Sequence, residues 1–155
     1  MSETLNPLLT VLNLKTSFHT HDGIINAVNG VDFDVFPGET LGLVGESGCG
    51  KSVTSLSILR LLNPANTTIQ GQIEFEGKNL LDLNSEKMRM LRGSTMSMIF
   101  QEPMTSLNPI LTVGEQIAES LRLHEHLDRK QAWEKAIQML EMVQIPSPKA
   151  RVEQY

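Results

Sequence analysis

Eight consecutive residues carry the clearest chemistry in this 155-residue chain: Gly45, Glu46, Ser47, Gly48, Cys49, Gly50, Lys51 and Ser52. They match the pattern G-x-x-x-x-G-K-[ST], whose glycines let the backbone curl until successive N–H groups point at a phosphate. Lys51 adds a full positive charge that can reach the β- and γ-phosphates, and the Ser52 hydroxyl can ligate Mg²⁺. The pattern therefore predicts a loop that binds the phosphates of a nucleotide; residues 45–52 are called the P-loop below.

The segments on either side of the P-loop are of the kind needed to position it. Residues 40–44 form a short apolar run, which predicts a buried strand. Residues 53–62 carry apolar side chains at helical spacing and end at an Asn-Pro pair, a helix stop. A helix that begins at the loop would add unpaired N–H donors and a partial positive charge, and we include the first residue after the motif, Val53, in the binding segment. These flanks disfavour a chance match in a glycine-rich turn.

Two antiparallel strands are predicted before the P-loop. Residues 8–18 alternate between apolar and polar side chains, and residues 24–36 are rich in strand formers, with a break at the Asn-Gly pair 29–30. The Pro-Gly pair 37–38 predicts a type II turn. Beyond the loop and its helix, residues 71–77 alternate strictly between two glycines and predict a strand that is exposed on one face.

The next elements lead to a second loop. Asn84 or Ser85 can cap a short helix that ends near residues 92–93. Residues 95–100 are predicted to form another apolar strand. Residues 101–109 contain two prolines among polar residues and are predicted to be a loop.

The last third of the chain is predicted to be helical. Residues 112–115, Thr-Val-Gly-Glu, fit a capping box that begins one helix. Asp128 can cap a second helix, which Pro146 and Pro148 are expected to stop. The sequence thus predicts a mixed α/β region followed by a helical region.

Composition excludes several classes of protein. The net charge of −5 argues against a nucleic-acid partner held by phosphate contacts. The single cysteine cannot form an internal disulfide, which suits a reducing compartment. The first ten residues have no basic region or long apolar run, and no stretch of about 18 apolar residues occurs, so we expect no signal peptide and no transmembrane segment.

Together these features resemble the nucleotide-binding subunit of ABC transporters. A P-loop that follows two antiparallel strands is succeeded by a strand ending in Phe100-Gln101 and then by helices. Residues 45–52 and 100–109 are similar to the dipeptide, oligopeptide and nickel importer branch. The resemblance implies an α/β fold, a P-loop NTPase (ABC ATPase) core with N-terminal antiparallel strands. It assigns residues 1–109 to the ATP-binding domain and residues 110–155 to the start of a helical subdomain.

The resemblance also assigns roles to residues outside the P-loop. Gln101 matches the Q-loop glutamine, which in the family contacts Mg²⁺ and the attacking water and links nucleotide state to the membrane subunit. With Lys51 it would form the catalytic set, and with Ser52 the metal ligands. Phe18 matches the aromatic residue that stacks on adenine, although the sequence pattern alone leaves Phe33 and Phe36 as alternatives.

Three family segments are missing from the sequence: the Leu-Ser-Gly-Gly signature, the Walker B strand ending in Asp-Glu, and the switch histidine. The chain is therefore expected to be the N-terminal part of a longer subunit, truncated before the signature and Walker B segments. Because half of the positioning groups are absent, this chain alone is expected to bind nucleotide weakly and to hydrolyse it negligibly.

The resemblance implies a function and a set of partners. The expected protein is the ATP-binding subunit of a peptide importer, which uses ATP and Mg²⁺ at the cytoplasmic face of the inner membrane as a peripheral subunit. Its partners would be a second ATP-binding subunit, transmembrane permease subunits and, indirectly, an extracytoplasmic solute-binding protein. Two alternatives stay open: a non-catalytic fragment that pairs with intact subunits, and a subunit for nickel or another solute. A GTPase is disfavoured because neither Asn-Lys-x-Asp nor Asp-x-x-Gly occurs.

Overall fold

The structure is a computed structural model that describes residues 6–101 and 106–155. The chain divides into two compact units, one up to Arg89 and the other from Met90 to Tyr155. The first unit contains β1 (Leu9–Thr20), β2 (Gly23–Val35), α1 (Lys51–Ile58), β3 (Thr67–Phe75), β4 (Lys78–Asn79) and a 3₁₀ turn (Leu80–Asp82). Next come α2 (Ser85–Ser94), which crosses the division, and then α3 (Val113–Glu125), α4 (Arg129–Met142) and α5 (Pro148–Arg151). The predicted division between an ATP-binding domain and a helical subdomain at residues 109 and 110 stays a prediction.

The first unit is built on a four-stranded antiparallel sheet in the order β2-β1-β3-β4. β1 lies between β2 and β3, and its Val11 and Leu14 are fully buried. On β3, Ile73 is also fully buried and lies opposite Val11. The predicted pair of antiparallel strands before the P-loop is confirmed, and apolar side chains on β1 and β3 contribute to the core.

The break predicted at residues 29–30 is a shift of register within β2 and not an end of the strand. β2 runs through Asn29 and Gly30 to Val35, with Gly30 in the left-handed region at φ 78°. The register does shift at this point, because Gly30 is skipped between the pairs Leu14–Val31 and Lys15–Asn29. It shifts again between the pairs Thr16–Val28 and Ser17–Asn26, where one extra residue of β2 forms a bulge. That residue is Ala27.

The predicted type II turn after β2 is confirmed. The amide of Glu39 donates to the carbonyl of Phe36 at 3.0 Å, and Gly38 has a φ of 75°. Glycine suits this position because the third residue of a type II turn requires positive φ. The turn directs the chain from β2 towards the P-loop.

Two of the predicted strands do not form. Residues 40–44 are in no strand, and within that segment Leu41 is 39%, Leu43 42% and Val44 94% exposed. Residues 95–100 make only an isolated bridge between Arg92 and Met96, and Ile99 is 96% exposed. A strand is held by hydrogen bonds to a neighbouring strand, and nothing in residues 6–101 or 106–155 provides that neighbour for either segment.

The helix that follows the P-loop is shorter than predicted, ending at Ile58 instead of near residue 62. Arg60 adopts a left-handed conformation with φ of 51°, which no α-helix continues through. Its Nη1 donates to the carbonyls of Leu80 and Leu83 at 3.0 and 2.5 Å. These bonds hold the end of α1 against the 3₁₀ turn.

Local capping signals determined the starts of α2 and α4. The Asn84 side chain accepts from the Lys87 amide at 2.9 Å, so Asn84 is the cap of α2, which ends as predicted where Arg92 and Gly93 leave helical geometry. Asp128 and Gln131 form a complete capping box at the start of α4.

The capping box predicted for α3 forms only in part. The Thr112 hydroxyl accepts from the Glu115 amide at 3.2 Å, but the Glu115 carboxylate bonds to Arg122 at 2.6 Å. Val113 and Gly114 at the start of α3 donate instead to the carbonyls of Gln154 and Val152, both at 2.8 Å. The C-terminal segment therefore satisfies first-turn amides of α3.

The two prolines after α4 do not act as predicted. The helix ends at Met142, four residues before Pro146. Two residues after that end, Gln144 has a left-handed φ of 60°. Pro148 occupies the first turn of α5, a position that suits proline because its missing N–H would be unpaired there.

Candidate nucleotide-binding site

The P-loop folds around the ammonium group of Lys51. Its Nζ donates to the carbonyls of Gly45 and Glu46, both at 2.7 Å, and approaches Cys49 Sγ at 3.3 Å. The loop is exposed from residue 45 to residue 49. A full positive charge is thus held across an open loop, where an anionic ligand can reach it.

Glycine is required where the loop becomes the helix. Gly50 is the N-cap residue of α1, with φ of 95°, and a Cβ built on it would lie 2.4 Å from the Ala27 carbonyl oxygen. Gly48 also has a positive φ of 82°, but a Cβ there would meet nothing within 4 Å. At Gly45 a Cβ would lie 2.5 Å from Cys49 Sγ. Glycine is therefore favoured at positions 45 and 50 because a Cβ would make close contacts there. At Gly48 only the backbone conformation favours glycine.

The start of α1 offers backbone donors to a ligand. Gly50 has no side chain with which to cap the helix, and the first intrahelical bond runs from the Thr54 amide to the Gly50 carbonyl at 2.8 Å. The amides of Lys51, Ser52 and Val53 precede that bond and have no acceptor within the helix. With the exposed Ser52 hydroxyl beside them, this arrangement fits a phosphate chain and its metal ion.

Phe18 lies on the face of the sheet that α1 covers. It is half-buried near the end of β1, with Ile25 of β2 and Thr67 of β3 as its cross-strand partners. Alternate residues of a strand share a face, so Phe18 is on the side of Thr16, whose hydroxyl bonds to Ser57 of α1 at 2.8 Å.

The other two phenylalanines lie farther along the hairpin. Phe33 pairs with Val11, seven residues before Phe18 on β1, or about 20 Å at the usual rise of a strand. Phe36 is in the turn that follows β2. Of the three rings, Phe18 is the one close in register to Ala27, against which the P-loop packs.

Sequence reasoning missed Ile25 and Ala27. Ile25 is 57% exposed and lies opposite Phe18, so the two side chains project from the same face. The two-residue turn at His21 and Asp22 could have given this register, because it pairs Thr20 with Gly23 and hence Phe18 with Ile25. The contact of Ala27 with Gly50 had no signal in the sequence, because it depends on the bulge.

Gln101 belongs to the second unit and is exposed at a bend. Residues 102–105 of the predicted Q-loop lie outside the described residues. Farther along, Asn108 exchanges hydrogen bonds with the Gln116 side chain of α3, at 2.9 Å from its amide and 3.0 Å to its carbonyl. The end of the loop is therefore fastened to α3, and the role of Gln101 stays a prediction.

Comparison with known proteins identifies the family. The family model described as ABC transporter matches residues 28–155, most of the chain. The chain belongs to the ABC transporter family. It is 51% identical over 150 residues to a protein of Sinorhizobium fredii named "Probable peptide ABC transporter ATP-binding protein". It is 49% identical over 152 residues to the dipeptide transport ATP-binding protein of Bacillus subtilis.

The alignments cover nearly all of this chain but only part of each ABC relative. They include 96% and 97% of the chain, and 44% and 45% of the Sinorhizobium and Bacillus proteins. The chain thus spans less than half the length of these relatives.

A solved structure shows the same fold. The ATP-binding cassette MJ0796, a dimer in a post-hydrolysis state bound to ADP and Pi, matches with a TM-score of 0.79 at 21% identity. The match covers 94% of this chain and 60% of MJ0796. The predicted α/β fold of an ABC ATPase is therefore confirmed.

The described part of the chain contains neither a membrane-spanning helix nor a cluster of metal-binding side chains. No helix within residues 6–101 and 106–155 is both long and apolar enough to cross a membrane. The same part of the chain holds no group of three or more histidine, cysteine, aspartate or glutamate residues suited to a metal ion.

Proposed function

We propose that this chain forms the nucleotide-binding part of an ABC importer ATPase for dipeptides or oligopeptides. The observation that carries the proposal is the open P-loop, with the Lys51 ammonium 2.7 Å from two loop carbonyls at the uncapped start of α1. The names of the Sinorhizobium and Bacillus relatives support peptides as the transported solute.

The P-loop would bind the triphosphate of ATP. Loop amides from Gly45 to Gly50 and the first amides of α1, to Val53, would donate to phosphate oxygens, and Lys51 would turn its donors from the loop carbonyls towards the β- and γ-phosphates. The Ser52 hydroxyl would be a ligand of Mg²⁺, which neutralises phosphate charge when bound. Glu46, Ser47 and Cys49 would contribute through their backbone, since the motif leaves their side chains unspecified.

The base would rest on Phe18. Its ring is on the face of the sheet that α1 covers, and stacking of a base on an aromatic side chain is worth about 1–3 kcal/mol. Ile25, opposite Phe18 and largely exposed, would extend this apolar platform.

The remaining roles concern the complete transporter. Gln101 would be a ligand of Mg²⁺ and would orient the attacking water, since an amide offers both an oxygen acceptor and N–H donors. A second ATP-binding subunit, transmembrane permease subunits and, indirectly, an extracytoplasmic solute-binding protein would be the partners, at the cytoplasmic face of the membrane. Residues 1–109 would form the ATP-binding region and residues 110–155 the start of the helical subdomain. Alone, the chain would bind Mg·ATP weakly and hydrolyse it negligibly, because the sequence contains neither a signature segment nor a Walker B strand.

The nucleotide site is tested by titrating the chain with a fluorescent ATP analogue (mant-ATP) in the presence of Mg²⁺. Lys51→Ala should weaken binding about 10- to 100-fold, the loss expected for one or two hydrogen bonds to charged groups. Lys78→Ala removes a similar charge from exposed β4 and should leave binding unchanged. Equal binding by wild type and Lys51→Ala would contradict the proposed site. ATP turnover that Lys51→Ala abolishes would contradict the expectation that the chain alone hydrolyses ATP negligibly.

The solute is tested with a chimera in which residues 6–155 replace the matching segment of the Bacillus dipeptide transport protein. In a strain lacking that protein, the chimera should restore growth that depends on imported dipeptide. The same chimera carrying Lys51→Ala should not. Failure of an expressed, ATP-binding chimera to restore growth would count against a peptide system.

A further inference from the structure

A buried pair of hydroxyl groups joins the P-loop helix to the centre of the sheet. Thr16 of β1 and Ser57 of α1 are both fully buried, and their oxygens lie 2.8 Å apart. Polar groups are costly to bury unless they are hydrogen-bonded to each other or to the backbone. An apolar pair could have filled the same space without a hydrogen bond. What the hydroxyl pair adds is a contact of defined length and direction between α1 and β1.

The proton positions in this pair can be assigned by counting. The Ser57 hydroxyl donates its single proton to the Val53 carbonyl at 2.6 Å, one turn earlier in α1. Thr16 must therefore donate to Ser57. Two other hydroxyls of α1, those of Thr54 and Ser55, donate to Gly50 and Lys51 within the same helix. Ser57 differs from them because it also bonds to the sheet.

A second contact holds the other end of α1. Gly50 packs so closely on the Ala27 bulge of β2 that a Cβ would lie 2.4 Å from the Ala27 carbonyl oxygen. The next residue of β2, Val28, is the cross-strand partner of Thr16. The helix is thus positioned at its N-cap residue by a steric contact and in its last turn by the Thr16–Ser57 bond.

This geometry relates the P-loop to Phe18. Phe18 lies two residues beyond Thr16 on the same face of β1, about 7 Å along the strand. The Thr16–Ser57 bond consequently limits sliding of α1, and of the P-loop attached to it, relative to the ring. Apolar packing alone is non-directional and would resist such sliding less.

We infer that Thr16 and Ser57 are positioning residues, whose hydrogen bond sets the distance between the phosphate-binding loop and the base-stacking ring. The inference rests on the proposed function, because it assumes one ligand that touches both. It follows that loss of the bond weakens ligands that contain a base but spares ligands that contain only the phosphate chain.

The test compares ATP with inorganic tripolyphosphate, each displacing mant-ATP from the 155-residue chain in the presence of Mg²⁺. The main variant is Thr16→Val combined with Ser57→Ala, because removing both partners leaves no buried hydroxyl unsatisfied. Thr16→Ser keeps the hydroxyl and serves as the conservative variant. Ser55→Ala, which removes a hydroxyl bonded only within α1, is the matched control. Circular dichroism melting curves establish that each variant folds, and Ser57→Ala alone replaces the double variant if that one does not.

The double variant should bind ATP about fivefold or more weakly, because a displaced ring loses part of its stacking energy. Its affinity for tripolyphosphate should stay within about twofold of wild type, and Thr16→Ser and Ser55→Ala should match wild type for both ligands. An equal loss for both ligands, or no loss for either, would overturn the inference while leaving the proposed function in place. A wild-type chain that binds neither ligand would overturn the proposed function and the inference with it.

Discussion

The sequence predicts a strand both at β1 and at residues 40–44, yet only β1 forms one. β1 is hydrogen-bonded on both sides, to β2 and β3, and its Leu14 is fully buried. Residues 40–44 lead into the P-loop without a neighbouring strand in the described part of the chain, and Val44 is 94% exposed. The difference shows that apolar residues only favour a strand, whereas hydrogen bonds to a neighbouring strand determine whether it forms.

The P-loop retains its own geometry despite the unpaired segment before it. The bonds from Lys51 to the Gly45 and Glu46 carbonyls are local, and the contact of Gly50 with Ala27 connects the loop to β2. The proposed phosphate site therefore depends on its lysine and on the hairpin more than on residues 40–44.

The largest expected effect on the free energy of unfolding is in β1, which is hydrogen-bonded to a strand on each side. Leu14→Ala should lower the free energy of unfolding by about 2–5 kcal/mol, because it leaves a cavity in the packed face of β1. Leu43→Ala, on the unpaired segment, should cost about 1 kcal/mol or less because that side chain is already 42% exposed. Urea unfolding followed by circular dichroism measures both. Equal losses for the two variants would mean that residues 40–44 are as well packed in solution as β1.

A smaller effect is expected at the junction of loop and hairpin. Gly50→Ala should cost about 2–3 kcal/mol, since it adds overpacking against the Ala27 carbonyl to the strain of a left-handed residue. Gly48→Ala has open space around its Cβ, so it should cost about 1–2 kcal/mol from backbone strain alone.

Urea unfolding of the two glycine variants, together with mant-ATP binding, measures this difference. A Gly50→Ala variant no less stable than Gly48→Ala would show that the hairpin does not support the loop as the structure describes.

The smallest expected effect is on the unpaired segment itself. Val44→Lys should change the free energy of unfolding by about 0.5 kcal/mol or less, as is usual for an exposed position. It should also reduce self-association at high concentration, because a lysine discourages pairing between unpaired strand segments. Sedimentation velocity and amide hydrogen exchange provide the measurements. Slow exchange of the Leu41 and Leu43 amides in the monomer would contradict an unpaired segment.

The parts of the fold that sequence reasoning predicted well depend on short-range signals. Asn84 and Asp128 cap their helices with bonds to residues three positions away, and the turn at residues 36–39 needs one glycine with positive φ. In the candidate site, the P-loop motif likewise identifies Lys51 by spacing alone. Such interactions involve few residues that are close in sequence, so the local sequence is enough to predict them.

The parts that sequence reasoning missed depend on distant residues. The end of α1 is set by Arg60, which bonds to carbonyls 20 and 23 positions later. The Glu115 carboxylate bonds to Arg122 and does not complete the predicted capping box, while carbonyls near the C-terminus accept from the Val113 and Gly114 amides of α3. The position of Ile25 opposite Phe18 depends on the register of the β1–β2 hairpin.

The sequence by itself determined the P-loop motif, the hairpin before it, the helix after it and membership of the ABC transporter family, because these are encoded in residue types at short, fixed spacings. Only the tertiary structure decided which apolar runs became strands, since each needs a neighbour to accept its backbone hydrogen bonds. It also decided that Thr16 bonds to Ser57, 41 residues away, and that the bulge at Ala27 meets Gly50. Contacts of this kind arise only after the chain has brought distant residues together, and we infer that they set the position of the P-loop relative to Phe18.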